Sequence, residues 1–443
     1  MELKGARALV VGMAKSGLAS VELLAKHGAL VRATDLKPSP EALQKLAQAR
    51  VPFAPQSSEV FENADLIVLS PGVPADLAPL EAARRRGAMV IGEVELAGHF
   101  LKGPIIGITG SNGKTTTTAL AGHILAESGI AVQVGGNIGT PVTAMIDSSR
   151  PDQWNVLELS SFQLETICRF RAQVAVALNV TPDHLDRHHT FDQYAAAKAR
   201  LFETQQAGDC AVLNADDPVC VRYASLTKAK PLWFSSTRPV SPGVSLGVDG
   251  IWFDSARLMA TADLPIRGRH NIENTMAAAA ACRVAGASLE QIAAAVRTFR
   301  AVEHRLEFVR NVSGVDFYND SKATNVDATL KALDAFPGGL WVILGGKDKG
   351  SDYTVLREPL AEKARAAMLI GAAAAKIRDQ IQGAVPLVDA KTLDVAVHDA
   401  YAAAKPGDTV LLAPACASFD QFDNYEHRGR VFKSLVAQLE PKS

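Results

Sequence analysis

Residues 105–118 read IIGITGSNGKTTTT: a short apolar run, a glycine-bearing turn, and then the opening of a helix-spaced segment through Leu120, Ile124 and Leu125. Glycines at 110 and 113 let successive backbone N–H groups converge on one anion with no Cβ in the way. The helix start that follows adds its own unpaired N–H groups and its dipole. The stretch therefore predicts a phosphate cradle built from Gly110, Ser111, Asn112 and Gly113, continuing into Thr116. In it Lys114 supplies a point charge for the terminal phosphates and Thr115 a hydroxyl for Mg²⁺. The spacing is not that of the strict P-loop, because the residue five before Gly113 is Ile108 rather than glycine.

The 443 residues suit roughly three domains, and a hydrophobic content of 48% can bury several cores. A formal net charge of -1 gives no basic excess for a nucleic-acid partner. Cys168, Cys210, Cys220, Cys282 and Cys416 are scattered, with neither paired zinc spacing nor an even count for a disulfide framework. No apolar run reaches the ~18 residues of a membrane span, and residues 1–12 lack a signal-peptide pattern. These features predict a cytoplasmic protein without a membrane span.

Before the phosphate turn, the runs ALVVG, LVRATD, DLIVLS and AMVIG alternate with helical stretches, which implies a parallel sheet with crossover helices. Its first turn, residues 12–17, approximates a dinucleotide fingerprint whose middle glycine has become Ala14. Asp35 closes the second strand where a ribose or base partner would sit, and the Pro/Gly turn at Gly72 closes the third. A half-Rossmann unit that binds nothing, and an NAD site, both remain open on these residues alone. After a linker at 98–104, the runs VLEL and VAVALNV read as buried parallel strands. Their ends deliver Glu158, and then Asn179 with the cluster TPDHLDRH, which contains His184. An acid at strand-end depth needs a metal, a cation or hydrogen bonds, so Glu158 is a candidate metal ligand. Lys198 lies in a helical stretch at 194–202, and by residue pattern alone it reads as a solvated surface lysine. Residues 232–266 read as a small accessory sheet. Asn271, near the start of the next helix, is equally a simple cap or a ligand contact. From 301 a third α/β unit runs through HRLEFV, VDFYNDS, LWVILGG, AAMLIG and TVLLAP. Cationic and hydroxyl residues cluster at its strand ends, which suits an anionic ligand rather than hydride chemistry.

Taken in order, TGSNGKTT, LELSSFQLE, LNVTPDHLDRH, GRHNIENTMAA, EHRLE, NDSKATN, GGKDKG and ACASFDQF resemble the Mur ligases of bacterial peptidoglycan synthesis. The resemblance covers nearly the whole chain. SSFQLE, DHLDRH, NDSKATN and ACASFDQF place it with the branch that adds D-glutamate. It implies a UDP-binding Rossmann-like domain at 1–97, a central ATPase domain at 98–300, and a Rossmann-like domain at 301–443 that brings the amino acid and closes on ATP. The implied reaction joins D-glutamate to UDP-N-acetylmuramoyl-L-alanine through an acyl phosphate, releasing ADP and phosphate, with a monomer as the working unit. By the same resemblance, Lys114 and Thr115 hold ATP phosphates and a first Mg²⁺ ion, with Glu158 shared between ions. His184 ligates a second Mg²⁺ together with Lys198 as a carbamate. Asn137 holds the muramoyl substrate. Asn271 contacts adenine, and His304, Arg305 and Asp320 contact the ribose and phosphates. Lys322, Thr324, Lys349 and Ser418 hold D-glutamate, with Tyr425 closing over it and Lys347 a rival to Lys349. Asp35 and the turns at Ser16 and Gly72 grip the uridine. The competing classes are a P-loop-type kinase, a nucleotide-binding regulator, an NAD oxidoreductase, a folylpolyglutamate-synthase-like glutamate ligase and another Mur ligase.

Overall fold

A computed structural model describes residues 1–300 and 302–442. Ala301, at which the sequence opens the third unit, and Ser443 lie outside the described residues. Three sheets organise the chain as three α/β domains. The first contains β1 (Arg7–Val11), β2 (Leu30–Asp35), β3 (Phe53–Pro55), β4 (Leu66–Leu69) and β5 (Met89–Gly92), all parallel, in the order β3-β2-β1-β4-β5. The second contains β6 (Ile105–Thr109), β7 (Val132–Gly136), β8 (Trp154–Glu158), β9 (Val174–Ala177), β10 (Cys210–Asn214), β11 (Lys230–Ser235), β12 (Gly243–Leu246), β13 (Ile251–Phe253) and β14 (Ala256–Met259). Their order is β14-β13-β12-β11-β10-β9-β6-β8-β7. The strands expected as an accessory sheet therefore extend the edge of the main one, parallel up to β12 and antiparallel beyond it. The third contains β15 (Glu307–Val312), β16 (Val315–Asn319), β17 (Leu340–Gly345), β18 (Ala364–Ile370), β19 (Leu387–Lys391) and β20 (Thr409–Leu412), in the order β15-β16-β20-β17-β18-β19, with only β15 antiparallel.

The central strands β6, β8 and β9 are almost wholly buried, as near-continuous apolar runs require when helices cover both faces of a parallel sheet. Three strands that no apolar run announces, β3, β7 and β19, are all edge strands with partly exposed residues. Half-burial interrupts the pattern that betrays the others. The helix Lys114–Glu127 opens on four threonines, which are poor helix formers. Thr115, Thr116, Thr117 and Thr118 are all buried, so tertiary packing outweighs local propensity there.

By internal contacts the chain divides into two compact units, Met1–Asp263 with Glu273–Arg297, and Leu264–Ile272 with Thr298–Ser443. The first two sheets share the first unit. They are joined through the helix Glu93–Gly98, whose Glu95 carboxylate, 2% exposed, accepts N–H bonds from Cys168, Arg169 and Phe170 at 2.8 to 3.0 Å.

Candidate active site

In each sheet the strand order reverses beside a strand whose C-terminal end meets a glycine turn, the position at which open α/β sheets bind ligands. In the second sheet that strand is β6, flanked by β8 and β9. The turn after it is shaped for close approach: Gly113 has φ 87°, and a Cβ there would lie 2.2 Å from Asn274 Oδ1. The helix Lys114–Glu127 starts directly from this glycine, so the positive end of its dipole faces the turn. Asn112 is held from β9's end, its N–H donating to Asn179 Oδ1 at 2.9 Å. Ser111 Oγ donates to the Thr181 carbonyl at 2.9 Å and lies 3.0 Å from the Tyr194 hydroxyl. Lys114 Nζ donates to the carbonyls of Gly110 and Ser111 at 2.8 and 2.9 Å.

Glu158 is the last residue of β8 and 1% exposed. Its Oε1 accepts from Asn137 Nδ2 at 2.8 Å, and its carbonyl accepts the Asn137 N–H at 2.9 Å. Gly136 makes this approach possible, since a Cβ there would stand 2.3 Å from the Glu158 carbonyl. Lys198, on the helix Phe191–Glu203, is also 1% exposed, which overturns the surface-lysine reading. That reading failed because helical spacing cannot say which side of an alanine-rich helix faces the core. Its Nζ donates to the same Gly110 carbonyl at 2.8 Å and stands 4.5 Å from the centre of the Tyr194 ring. Burial first, and then the Lys114 charge, hold its ammonium well below the usual lysine range, against the opposing pull of Asp183 and Glu158. His184 has a left-handed backbone, φ 53°, with its ring edge-on to Phe162 and its Nε2 3.6 Å from Asp183 Oδ2. Among the described residues, the one trio of His, Cys, Asp or Glu ligand atoms within 4.8 Å of one another is Glu303, His304 and Glu307, so Glu158 and His184 do not form a ready-made acidic cage. Lys433 bridges Glu303 and Glu307 at 2.5 and 3.0 Å.

Strand ends of the first sheet enclose a cleft of about 530 Å³ lined by Gly12, Ser16, Asp35, Ser70, Gly72 and Val73 among others. Asp35 is oriented by the N–H groups of Met13 and Lys37, at 2.5 and 2.8 Å. Ser70 Oγ donates to the Gly12 carbonyl at 2.7 Å, tying two of the turns together.

The second unit assembles its own groups. His304 is 2% exposed at φ 66°, with Nδ1 2.9 Å from Asn319 Nδ2. Asp320 is buried, and burial pushes its carboxyl up to about 6 against the pull of Arg305 and Lys322. Lys322 Nζ stands 5.1 Å from the centre of the Tyr425 ring, and the Tyr425 carbonyl accepts from Ser321 Oγ at 2.9 Å. Arg428, with no exposed surface, donates to Ser321 Oγ, the Ser321 carbonyl and the Cys416 carbonyl. Asn271 Nδ2 donates to the Arg267 carbonyl at 2.6 Å, so it closes the preceding turn. It also lines a cavity of about 350 Å³ with Ile266, Phe299, Arg305, Leu306 and Tyr318. Lys347 and Lys349 are both exposed, Ser418 is buried, and the Thr324 N–H donates to the Lys322 carbonyl.

Residues 6–92 match the N-terminal domain of MurD-like Mur ligases, residues 108–282 the Mur ligase middle domain, and residues 304–416 the Mur ligase glutamate ligase domain. The chain belongs to the Mur ligase family. It is 70% identical over 442 residues to a UDP-N-acetylmuramoylalanine--D-glutamate ligase of Solibacter usitatus, covering 100% of both chains. It is 54% identical to one of Acidobacterium capsulatum, covering 98% of this chain and 97% of that one. A UDP-N-acetylmuramate-alanine ligase structure from Thermotoga maritima, 18% identical, shares the Mur ligase fold with a TM-score of 0.61, over 97% of this chain and 99% of that chain.

Among the candidate residues of this Mur ligase, the first unit brings Gly110 to Thr116, Asn137, Glu158 and Lys198 to one edge of the second sheet. The second unit brings His304, Arg305, Asp320, Lys322 and Tyr425 together. Sequence reasoning passed over Asn274, whose Oδ1 accepts from Thr117 Oγ1 at 3.2 Å and abuts Gly113. The signal was present in GRHNIENTMAA, where asparagines at 271 and 274 stand three apart on one helix. It also passed over Arg428, because the sequence cannot show that an arginine in an amphipathic helix faces inward.

Proposed function

We propose that this chain is a cytoplasmic, monomeric ATP-dependent ligase that joins D-glutamate to UDP-N-acetylmuramoyl-L-alanine, forming ADP and phosphate, in peptidoglycan precursor synthesis. Residues 1–97 take the nucleotide-sugar substrate, 98–300 bind ATP, and 301–443 bind the amino acid. The observation that carries the reading is the meeting, at the end of β6, of a glycine turn that opens a helix, Lys114, the buried acid Glu158 and the buried Lys198. The 70% identity to a D-glutamate ligase along the whole chain supports the substrate assignment.

A carboxylate does not react with an amine at a useful rate until its oxygen is made a good leaving group. Transfer of the γ-phosphoryl group to the alanyl carboxylate does this, and the D-glutamate amine then displaces phosphate through a tetrahedral intermediate. Two anions have to meet first, so charge stabilisation and positioning are the main demands on the protein. Lys114 and the N-terminus of its helix hold the terminal phosphates. Asn137, fixed to Glu158, orients the muramoyl end. Asp35, Ser16 and Gly72 grip the uridine. Asn271 meets adenine in the 350 Å³ cavity, while His304, Arg305 and Asp320 hold the ribose and phosphates. Lys322, Thr324, Lys349 and Ser418 take D-glutamate, and Tyr425 covers it.

The residues fit Mg²⁺. Thr115 offers a hydroxyl, Glu158 a buried carboxylate, His184 a ring nitrogen, and Lys198 two oxygens once carbamylated, for a pair of ions. A depressed lysine supports that modification, because CO₂ reacts with the neutral amine. Bound Mg²⁺ supplies positive charge to the phosphoryl oxygens and to the attacking carboxylate. An ADP-release assay with UDP-N-acetylmuramoyl-L-alanine and either glutamate enantiomer tests the proposal. ADP release that depends on D-glutamate is expected. Equal release with L-glutamate, or release indifferent to any amino acid, overturns it.

A further inference from the structure

Behind the loops that carry Lys349 and Ser418 runs a chain of hydrogen bonds that phosphoryl transfer does not use. Tyr353, fully buried, donates its hydroxyl to Asp348 Oδ1 at 2.8 Å and stands 3.0 Å from Cys416 Sγ. Because the single phenol proton is committed to the carboxylate, the thiol S–H donates to the phenol oxygen. Burial pushes that thiol up to about 11, so it keeps its proton at working pH. Asp348 Oδ1 also accepts the Ser351 N–H at 3.1 Å, and Oδ2 accepts Lys376 Nζ at 2.7 Å from the helix Ala374–Ile381. The Lys376 ammonium in turn stands 5.5 Å from the centre of the Tyr353 ring. One residue away from each end, the backbones of Lys347 and Ala417 exchange two hydrogen bonds of 2.8 and 3.1 Å. The loop after β17 and the loop after β20 are thus joined twice, once by backbone and once through the phenol.

A phenylalanine would fill the same space, so the hydroxyl is the part that packing does not explain. A buried hydroxyl is stable only when its partners are satisfied, and here both partners belong to loops of the amino-acid site. We propose that Tyr353 is a positioning residue for the amino-acid substrate, its hydroxyl fixing the 346–350 loop against the 415–418 loop so that Lys349 and Ser418 are presented at a set separation. This rests on the D-glutamate reading above. Lys349 is exposed on a short loop, and a dicarboxylate amino acid needs its cation held in place before binding, since ordering the loop afterwards subtracts from affinity.

The test is steady-state kinetics of Tyr353→Phe in the full-length enzyme. The KM for D-glutamate should rise about 3–10-fold, as expected for loss of one or two hydrogen bonds, with the KM for ATP and the melting temperature nearly unchanged. Lys376→Gln, which leaves the buried tyrosine in place and removes Asp348's partner at the rim, should move the same constant in the same direction by less. An unchanged D-glutamate KM in both variants overturns the inference. So does a parallel rise in the KM for ATP together with a lower melting temperature, which marks a structural role alone. Wild-type enzyme that turns over without D-glutamate defeats the proposed function, and this inference with it, before any variant is compared.

Discussion

Lys114 and Lys198 donate to one carbonyl, that of Gly110, and the two cannot both be comfortable there as ammonium ions. Lys114 is half-buried at the start of its helix, whereas Lys198 is sealed by protein. Lys198→Ala should therefore leave ATP binding roughly intact while lowering ligation ~100-fold or more, and acetate should restore part of it by supplying oxygens in the vacated space. Native protein in ¹³C-bicarbonate should show a carbamate resonance that the variant lacks; an unlabelled protein and a fully active variant would return Lys198 to a packing role. Lys114→Ala should cost ~2–4 kcal/mol of barrier in ATP-dependent turnover, through loss of the fixed charge at the phosphates. Asp320 makes a prediction about stability. Its folded pKa, about 6, lies above the ordinary aspartate value, so the folded state holds the proton more tightly than the unfolded chain. Stability from this group is thus fully present below pH ~4, is lost as pH rises through about 6, and stays lost at neutral pH. Asp320→Asn should consequently melt higher than wild type at pH 7.5, by roughly 1–3 kcal/mol, and show no such gain at pH 4. An equal difference at both values would mean that the buried charge is not its source.

At the scale of single elements, the two proposed binding functions, of the β6 turn and of the loop after β17, rest on different means. The β6 turn uses backbone shape. Gly113 combines φ 87° with an Asn274 oxygen where a Cβ would go, so Gly113→Ala should disrupt the cradle almost as thoroughly as loss of Lys114, readable as lost binding of a fluorescent ATP analogue. The loop after β17 uses side-chain charge on a tethered backbone. Lys347 already has its backbone paired to Ala417, and its side chain points to solvent. Lys349→Ala should weaken D-glutamate about tenfold, the loss of one charge-assisted hydrogen bond, with little effect on ATP. A larger D-glutamate effect from Lys347→Ala would transfer the role to that residue.

In the molecule as a whole, the first two sheets share one compact unit and one apolar cluster, and two buried acids on one short helix add polar ties between them. Glu93 Oε1 accepts the N–H and hydroxyl of Thr143 at 2.7 and 3.0 Å, and Glu95 collects three N–H groups of 168–170. Gly92 and Gly98 let the backbone close up at either end, with Thr166 Oγ1 and Phe170 occupying the space that a Cβ would need. Glu95→Ala would take the acceptor from the buried Phe170 N–H and from the part-buried N–H groups of Cys168 and Arg169, at a cost of about 1–3 kcal/mol, whereas Glu95→Gln keeps one acceptor oxygen and should cost less. Urea unfolding measures the difference, and trypsin should cut the alanine variant earlier at Lys102 in the linker. Identical unfolding of all three proteins would show that the sheets are held together by apolar packing alone.

How much the sequence determined by itself depends on which physical signal each feature emits. Buried parallel strands emit a strong one, since helices on both faces demand continuous apolar runs, and β6, β8, β9 and their counterparts were legible for that reason. Glycine turns with a following lysine emit another, because few residue patterns let backbone N–H groups converge, and ordered motifs carried the candidate residues from Gly110 to Tyr425. The edge strands β3, β7 and β19 emit neither, being half-exposed and short. The fate of polar side chains within helices was decided only in three dimensions. Lys198 reads as a solvated surface lysine in one dimension and Arg428 gives no signal there, yet both are sealed against backbone carbonyls. Asn274 abuts Gly113 from 161 positions along the chain, and Tyr353 reaches Cys416 across 63. Local periodicity fixes what an element is, because it depends on neighbours in sequence. Which face of that element meets which loop depends on long-range packing, which brings the distant partners together.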